Sequence, residues 1–390
     1  MGIFQWRYPP TRKLTPKERM LTAMRNEEPD RVPASPDISN MIPARMTGKP
    51  FWDIYLHHDP PLWRAYLAAV KRLGIDGWLI YAKMGGARTP ENVSRRSEIV
   101  SQTDEQIVKR MYISTPDGDL WKDVVYYRDQ PPWPSKRYIK DFVEDYPKLL
   151  HMERDMSNLN DRRIKEMKEE TGDLGAVGGS LSLPTVMFSS REGGIAKALR
   201  DYYQHHRKVM KLLRRNHRET VEYAKQLVEA EPDFIFIGNS GLWLMQGEKI
   251  TREVSLPTLK AVTKIASKTD VPTFLHCCGP EKGLVKICAK ETKLDCINPL
   301  ERPPFGDTEL REIKEEFGDQ LSMMGNLPTM TVMLKGSPEE IVEESLRAIR
   351  DAGEGGGFIL STGDQCARDT PYSNLKAMVR AVERYGQYSR

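Results

Sequence analysis

Near the end of one apolar run, a histidine and a cysteine stand two residues apart in Thr273-Phe274-Leu275-His276-Cys277-Cys278-Gly279. A strand sends alternate side chains to opposite faces, so His276 and Cys278 share a side and Cys277 takes the other. An imidazole nitrogen and a thiolate suit zinc, which accepts mixed N/S ligands in a tetrahedral shell. Gly279 lets the backbone turn away from a crowded site. The competing interpretation is a buried histidine among small apolar cysteines, which are common in cores.

Zinc needs further ligands. The run Leu360-Ser361-Thr362-Gly363-Asp364-Gln365-Cys366 offers Cys366 as the best third ligand, because a second thiolate suits zinc, and Asp364 as an oxygen ligand or a partner of the ligands. In Asn298-Pro299-Leu300-Glu301, Glu301 is placed to ligate zinc until substrate displaces it, or else to be a surface carboxylate. Cys288 and Cys296 read as packing. The pairs His57-His58 and His205-His206 are adjacent, so on a helix they do not face one site. Gly353-Glu354-Gly355-Gly356-Gly357 precedes a strand and lacks the Lys-Ser/Thr of a P-loop, which makes it a helix-to-strand turn. No Gly-x-Ser-x-Gly elbow supports a serine hydrolase.

These residues must be carried on a scaffold. Apolar runs occur at 32–38, 76–82, 174–181, 234–238, 273–277, 296–299, 321–325 and 358–361, eight in all. Amphipathic helical patterns fill the later intervals, at 257–267, 307–317 and 338–351. Strands alternating with helices imply parallel pairing through right-handed crossovers. Eight such units close a (β/α)8 TIM barrel, whose chemistry sits at the C-terminal ends of its strands. His276, Cys278, Glu301, Asp364 and Cys366 all fall at such ends. So do Asn239, a candidate catalytic amide, and Asp37, Tyr81, Met84 and Asn326, candidates for binding substrate.

One TIM-barrel domain over 1–390 is expected. It has an N-terminal helical extension (1–31), whose helix starts at Thr15-Pro16-Lys17-Glu18 by a capping box. It also has a β-hairpin insertion at about 95–135, turning at Pro116-Asp117-Gly118. Hydrophobic residues make up 39% and charged residues 29%, which excludes a disordered chain. The net charge of +4 neither requires nor excludes nucleic acid, and no basic stripe interleaved with aromatics is evident, so none is expected. No apolar run reaches about 18 residues, so no membrane span is expected. Met1 to Lys17 lacks the apolar stretch of a signal peptide. With five cysteines, an odd number, a disulfide framework is disfavoured and the cytoplasm is the expected location.

The chain resembles the uroporphyrinogen decarboxylase superfamily over nearly its whole length. The stretch at 274–279 resembles the His-x-Cys-Gly of its zinc methyltransferases, which act with corrinoid proteins. Met323 to Thr329 resembles the shared Gly-Asn turn, the run from Gly355 to Val379 its last strand and helix, and Glu18 to Pro33 its first helix and strand. The resemblance implies a barrel, Zn2+, a labile glutamate for which Glu301 is the best match, and a corrinoid (cobalamin) carried by a partner protein. Measured back from Thr370-Pro371, the last cysteine ligand of the coenzyme M methyltransferases aligns with Asp364 rather than Cys366. The arginine-rich segment of true decarboxylases is replaced by Ser35-Pro36-Asp37-Ile38-Ser39-Asn40, which argues against decarboxylation. The segments at 298–304 and 361–366 look closest to the branch that demethylates methoxylated aromatic compounds. O-demethylation into a corrinoid protein is therefore the leading expectation. A methylcorrinoid:thiol methyltransferase of the coenzyme M type and a non-catalytic zinc-bearing corrinoid-binding module remain open, with a homodimer as the candidate assembly.

Overall fold

The computed structural model describes residues 12–388; the first part of the expected N-terminal extension lies outside them. Seven parallel strands form one sheet: β1 (Gly77–Ala82), β6 (Gly175–Leu181), β7 (Phe234–Gly238), β8 (Thr273–His276), β9 (Cys296–Asn298), β10 (Ser322–Leu327) and β11 (Phe358–Thr362), in that order around the ring. The intervening β2 (Ser94–Gln102), β3 (Gln106–Thr115), β4 (Gly118–Tyr127) and β5 (Trp133–Lys136) make a separate antiparallel sheet. The barrel strands are almost continuously buried, as expected where helices cover one face and the barrel core the other.

The eighth position is not a strand, which corrects the expectation for 32–38. The segment is extended and forms a single parallel bridge, Ala34 to Leu360. Pro33 and Pro36 have no N–H to donate to a ladder. The remaining groups still close the ring. Ser35 N–H donates to the Leu360 carbonyl and Leu360 N–H to the Pro33 carbonyl, each at 2.9 Å, while on the other side Asp76 N–H donates to the Ala34 carbonyl at 2.9 Å. The fold is thus a (β/α)8 barrel with one proline-interrupted seam.

Aromatic rings fill the lower barrel. Trp78 meets Phe274 at 5.2 Å and Phe236 at 5.8 Å between centroids, and Phe234 meets Phe274 at 6.0 Å. Gly178 makes room for this packing, since a Cβ there would lie 2.5 Å from the Phe234 ring. The helix Pro16–Met24 packs on β1, β6, β10 and β11 and carries the expected capping box of Thr15 and Glu18. From it, buried Arg19 donates to Asp76 and to Asp30, and Arg31 adds a bond to Asp76 at 3.0 Å.

The insertion is larger than a hairpin. The β3–β4 hairpin turns at Pro116-Asp117, with Thr115 opposite Gly118, and β2 and β5 flank it to give four strands over 94–136. It follows the C-terminal end of β1, and Ile113 and Leu120 join a second apolar core with Phe142, Val209, Leu213 and Ile250. The outer strand β2 is exposed throughout. Among the described residues no helix is long and apolar enough to cross a membrane.

Candidate metal centre

β8 ends at His276 and β9 at Asn298, which pair in register. The His276 Nδ1 lies 2.6 Å from the Asn298 Oδ1, an acceptor, so Nδ1 carries the hydrogen and Nε2 is left to face a cation. Two residues on, Cys278 turns to the same side. From across the barrel mouth, the loop after β11 brings in Asp364, whose Oδ1 is 3.9 Å from His276 Nε2. One ligand atom from each of His276, Cys278 and Asp364 lies within 4.8 Å of the others. Asp364 reaches this place with a φ of 103°, a conformation that costs a non-glycine residue energy and is typical of functional sites. The Thr362 hydroxyl donates to the Asp364 carbonyl at 2.7 Å and accepts from the Asp37 N–H at 3.0 Å, so β11 locks both aspartates.

Cys366 stands apart from this group. Its buried thiol points at Thr362 Oγ1, 3.9 Å away, and its N–H donates to the Asp37 carbonyl at 2.8 Å. The group gathered here offers nitrogen, sulfur and carboxylate oxygen, with Asp364, the alternative to Cys366, as its third member.

Glu301 lies at the edge of the same site. Its Oε2 accepts from the Gly279 N–H at 2.5 Å, and its backbone carbonyl accepts from Thr308 N–H and Oγ1. Its position is one peptide from Cys278, in the field of both Asp364 and His276.

Acidic groups crowd this mouth with little to offset them. Burial, and then the nearby Asp364 carboxylate, pushes the Cys278 thiol up to about 12. Burial raises the Glu301 carboxyl, with Asp364 adding to it. Burial also raises the Asp37 carboxyl, against the opposing pull of His276. The grouped imidazole nitrogen, sulfur and carboxylate oxygen fit a bound divalent metal, and their N/S/O character fits zinc.

The other expected site residues have these partners. The Asn239 side chain is taken up on both ends by the Leu183 backbone, at 2.7 Å through Oδ1 and 3.4 Å through Nδ2. It therefore clamps the loop after β6. The Asn326 amide donates to the Leu300 carbonyl at 2.9 Å, steadying the turn that carries Glu301. Tyr81 donates to the Ser39 carbonyl and packs edge-on to Tyr66 at 5.6 Å, pinning the segment that bears Asp37. Met84 lines a cavity whose wall also includes Phe236 and Gly238, neighbours of His276. His206 meets Glu253 at 2.9 Å on the surface, and the glycine run 353–357 is a helix-to-strand turn, both as expected.

Two residues escaped the sequence reading. Asn298 orients His276, and its place at the end of a strand neighbouring the histidine strand was the available signal. Glu281 is fully buried behind the site. One oxygen accepts from the Leu300 N–H at 2.6 Å, while Oε2 has no partner. Burial raises its carboxyl well above the usual range. Nothing in the local spacing marks it.

The uroporphyrinogen decarboxylase (URO-D) family model matches residues 159–385. A methylated-thiol–coenzyme M methyltransferase of Methanosarcina mazei is 28% identical over 132 residues, covering 34% of this chain and 32% of that protein. The methylcobamide:CoM methyltransferase MtaA of Methanosarcina barkeri is 26% identical over 166 residues, covering 42% of this chain and 45% of that protein. The matched stretches thus span less than half the length of these relatives. A solved methyltransferase from Methanosarcina mazei superposes with a TM-score of 0.64 at 20% identity, covering 95% of this chain and 99% of that one, a likeness of fold.

Proposed function

The chain belongs to the uroporphyrinogen decarboxylase family, and from that premise we propose that it is a zinc-dependent methyltransferase that moves a methyl group from a methoxylated aromatic compound to a corrinoid carried by a partner protein. The convergence of His276, Cys278 and Asp364 at the mouth of the barrel carries this reading. His276, Cys278 and Asp364 would hold the metal, with Glu301 as the exchangeable fourth group. When bound, zinc supplies Lewis acidity to the ether oxygen and so stabilises the departing phenolate.

The protein's own residues do the rest. Asn298 fixes the tautomer and aim of His276. Thr362 holds Asp37 and Asp364 in place, and the Gly279 N–H gives Glu301 an alternative partner when it yields to substrate. In the transfer, the methyl–oxygen bond breaks with its electron pair left on oxygen, the methyl goes to the reduced corrinoid, and the phenolate takes its proton from solvent. The acids Asp37, buried, and Glu301 and Asp364, half-buried, gather at the mouth and disfavour a polycarboxylate tetrapyrrole, which supports transfer over the decarboxylation of the family's name.

The second reading is transfer from a methylcorrinoid to a thiol, and the names of the two partial relatives favour it. The oxygen ligand Asp364 favours the first: a carboxylate donates less charge to zinc than a thiolate would, leaving a sharper Lewis acid for an ether. Incubation with cob(I)alamin and a panel of methoxybenzoates, methanol and methylamines tests the proposal. Methylcobalamin forming with the methoxybenzoates supports it. Methylation of 2-mercaptoethanesulfonate by methylcobalamin, with all methoxyarenes inert, would replace it by the second reading.

A further inference from the structure

The helix His206–Glu229 turns Val209, Met210 and Leu213 into the second apolar core and carries a run of cations on another face. Arg207, Lys211, Arg214, Arg215 and Arg218 follow the i, i+4, i+7, i+8, i+11 spacing of one helical stripe, and Lys208 flanks it. All six line a cavity of about 720 Å3, to which the helix Phe142–Leu150 contributes Tyr146 and Leu150. The cavity shares no lining residue with the candidate metal centre or with the cavity that Met84 lines.

The fold does little to offset this charge. Among the described residues Glu153 is the only carboxylate on the lining, 3.6 Å from Arg218, and both side chains are exposed. Lys208 lies over the Tyr146 ring at 5.1 Å. Arg207, Lys211 and Arg214 have no ion-pair partner among the described residues. Arg215 commits Nη1 to the carbonyls of Leu149 and Leu150, at 2.8 and 3.3 Å, while its buried Nε has no hydrogen-bond acceptor. Cations elsewhere on the surface are paired, Arg252 with Glu248 and Glu291, and Arg311 with Asp351. Like charges four apart, as at 207/211, 211/215 and 214/218, destabilise a helix, so folding alone gives no reason for the stripe.

We propose that this cavity binds an oligophosphate, a chain of linked phosphates that is either free or the tail of a nucleotide. The charged groups on its lining are hydrogen-bond donors, Glu153 excepted, which suits a ligand made of acceptors. An acidic peptide would bring backbone N–H groups that find few acceptors here. Arginine forks match the paired oxygens of a phosphate, and four of the six cations are arginines. Residues 207 to 218 span about 16 Å of helix axis, too far for one phosphate to engage the stripe, whereas linked phosphates meet it at several points. The volume lies inside the roughly 300–1,000 Å3 of small-molecule sites.

Calorimetric titration of the zinc-loaded protein with tripolyphosphate, ATP, AMP, orthophosphate and hexaglutamate tests this. Tripolyphosphate and ATP are expected to bind at one equivalent, and the other three about tenfold more weakly or worse. ATP no tighter than tripolyphosphate makes the phosphate chain the whole ligand, and tighter ATP adds the nucleoside. Lys211→Gln combined with Arg214→Gln is expected to weaken tripolyphosphate about tenfold and to hold or raise the melting temperature, since a repulsion is removed. Lys165→Gln combined with Lys225→Gln takes the same charge from exposed positions outside the cavity and should leave binding unchanged. Cys278→Ala, which lacks the sulfur of the metal centre, should bind tripolyphosphate as the parent does; binding lost with it would send the anion to the zinc and overturn the assignment. Hexaglutamate or orthophosphate binding as tightly as tripolyphosphate, equal losses in the two double variants, or no saturable binding would overturn it too.

Discussion

Replacing Cys278 by alanine deletes the sulfur of the candidate centre, whereas Cys366→Ala removes a thiol that faces Thr362. Metal analysis of the purified variants is expected to show zinc lost from C278A and kept near one equivalent in C366A; zinc lost from both would make Cys366 a ligand as well, two residues beyond Asp364. Asn298→Ala leaves the ligands in place but frees the His276 ring, and zinc affinity measured by chelator competition is expected to fall about 10- to 100-fold. At this scale the sequence was legible where chemistry and period coincide. A histidine and a cysteine two apart read as facing the same way, and the structure brings them together although β8 ends at His276. The third member of the candidate group was harder. Asp364 and Cys366 differ by two residues in an irregular loop, where strand alternation gives no guide, and the outcome depends on the unusual φ of Asp364.

Glu281 shows how an element can carry a cost that its own sequence hides. It precedes the helix Lys282–Glu291 and is buried with one oxygen unpartnered. Its folded-state carboxyl titrates above the usual value of 4.5. Between that value and the folded one, the native state binds more protons than the unfolded state, so stability falls as pH rises, by up to about 1.4 kcal/mol per unit. Glu281→Gln keeps the bond from Leu300 and removes the charge. Thermal unfolding should find the variant more stable than the parent, by a margin that widens as pH rises above about 4.5 until it reaches the folded-state value. The insertion was read from its Pro-Asp-Gly turn, which determines a hairpin locally. The flanking β2 and β5 were missed because β2 is exposed along its whole length and β5 contains Pro134, so neither shows an alternating apolar face.

At the scale of the whole molecule, eight apolar segments were enough to read a barrel, because parallel strands buried on both faces stand out as runs. The one that failed as a strand contains two prolines, yet ring closure put it in the same place, with side-chain bonds assisting its few remaining donors. The Ala34 N–H, for example, donates to Asp76 Oδ2 at 2.8 Å. Asp76 thereby ties together Arg19, Arg31 and the seam, all of them buried. Arg19→Met would leave Asp30 and Asp76 short of a counter-charge, and chemical denaturation is expected to report a loss of about 3–5 kcal/mol. A loss under 1 kcal/mol would mean that Arg31 alone secures the seam.

Two of the grouped side chains lie at the end of β8 and the third follows β11, so 86 positions of chain separate Cys278 from Asp364. A zinc ion bridging them would act as a reversible rivet between distant parts of the polypeptide, and the strand beside the seam is one of the parts it fastens. Heat resistance should then climb with the logarithm of free zinc, by about 2.7 kcal/mol at a hundred times the dissociation constant, with neither donor nor corrinoid in the tube. Scanning calorimetry across a zinc buffer series would read it directly, and an unmoved melting temperature would mean that the ion does not fasten the folded chain.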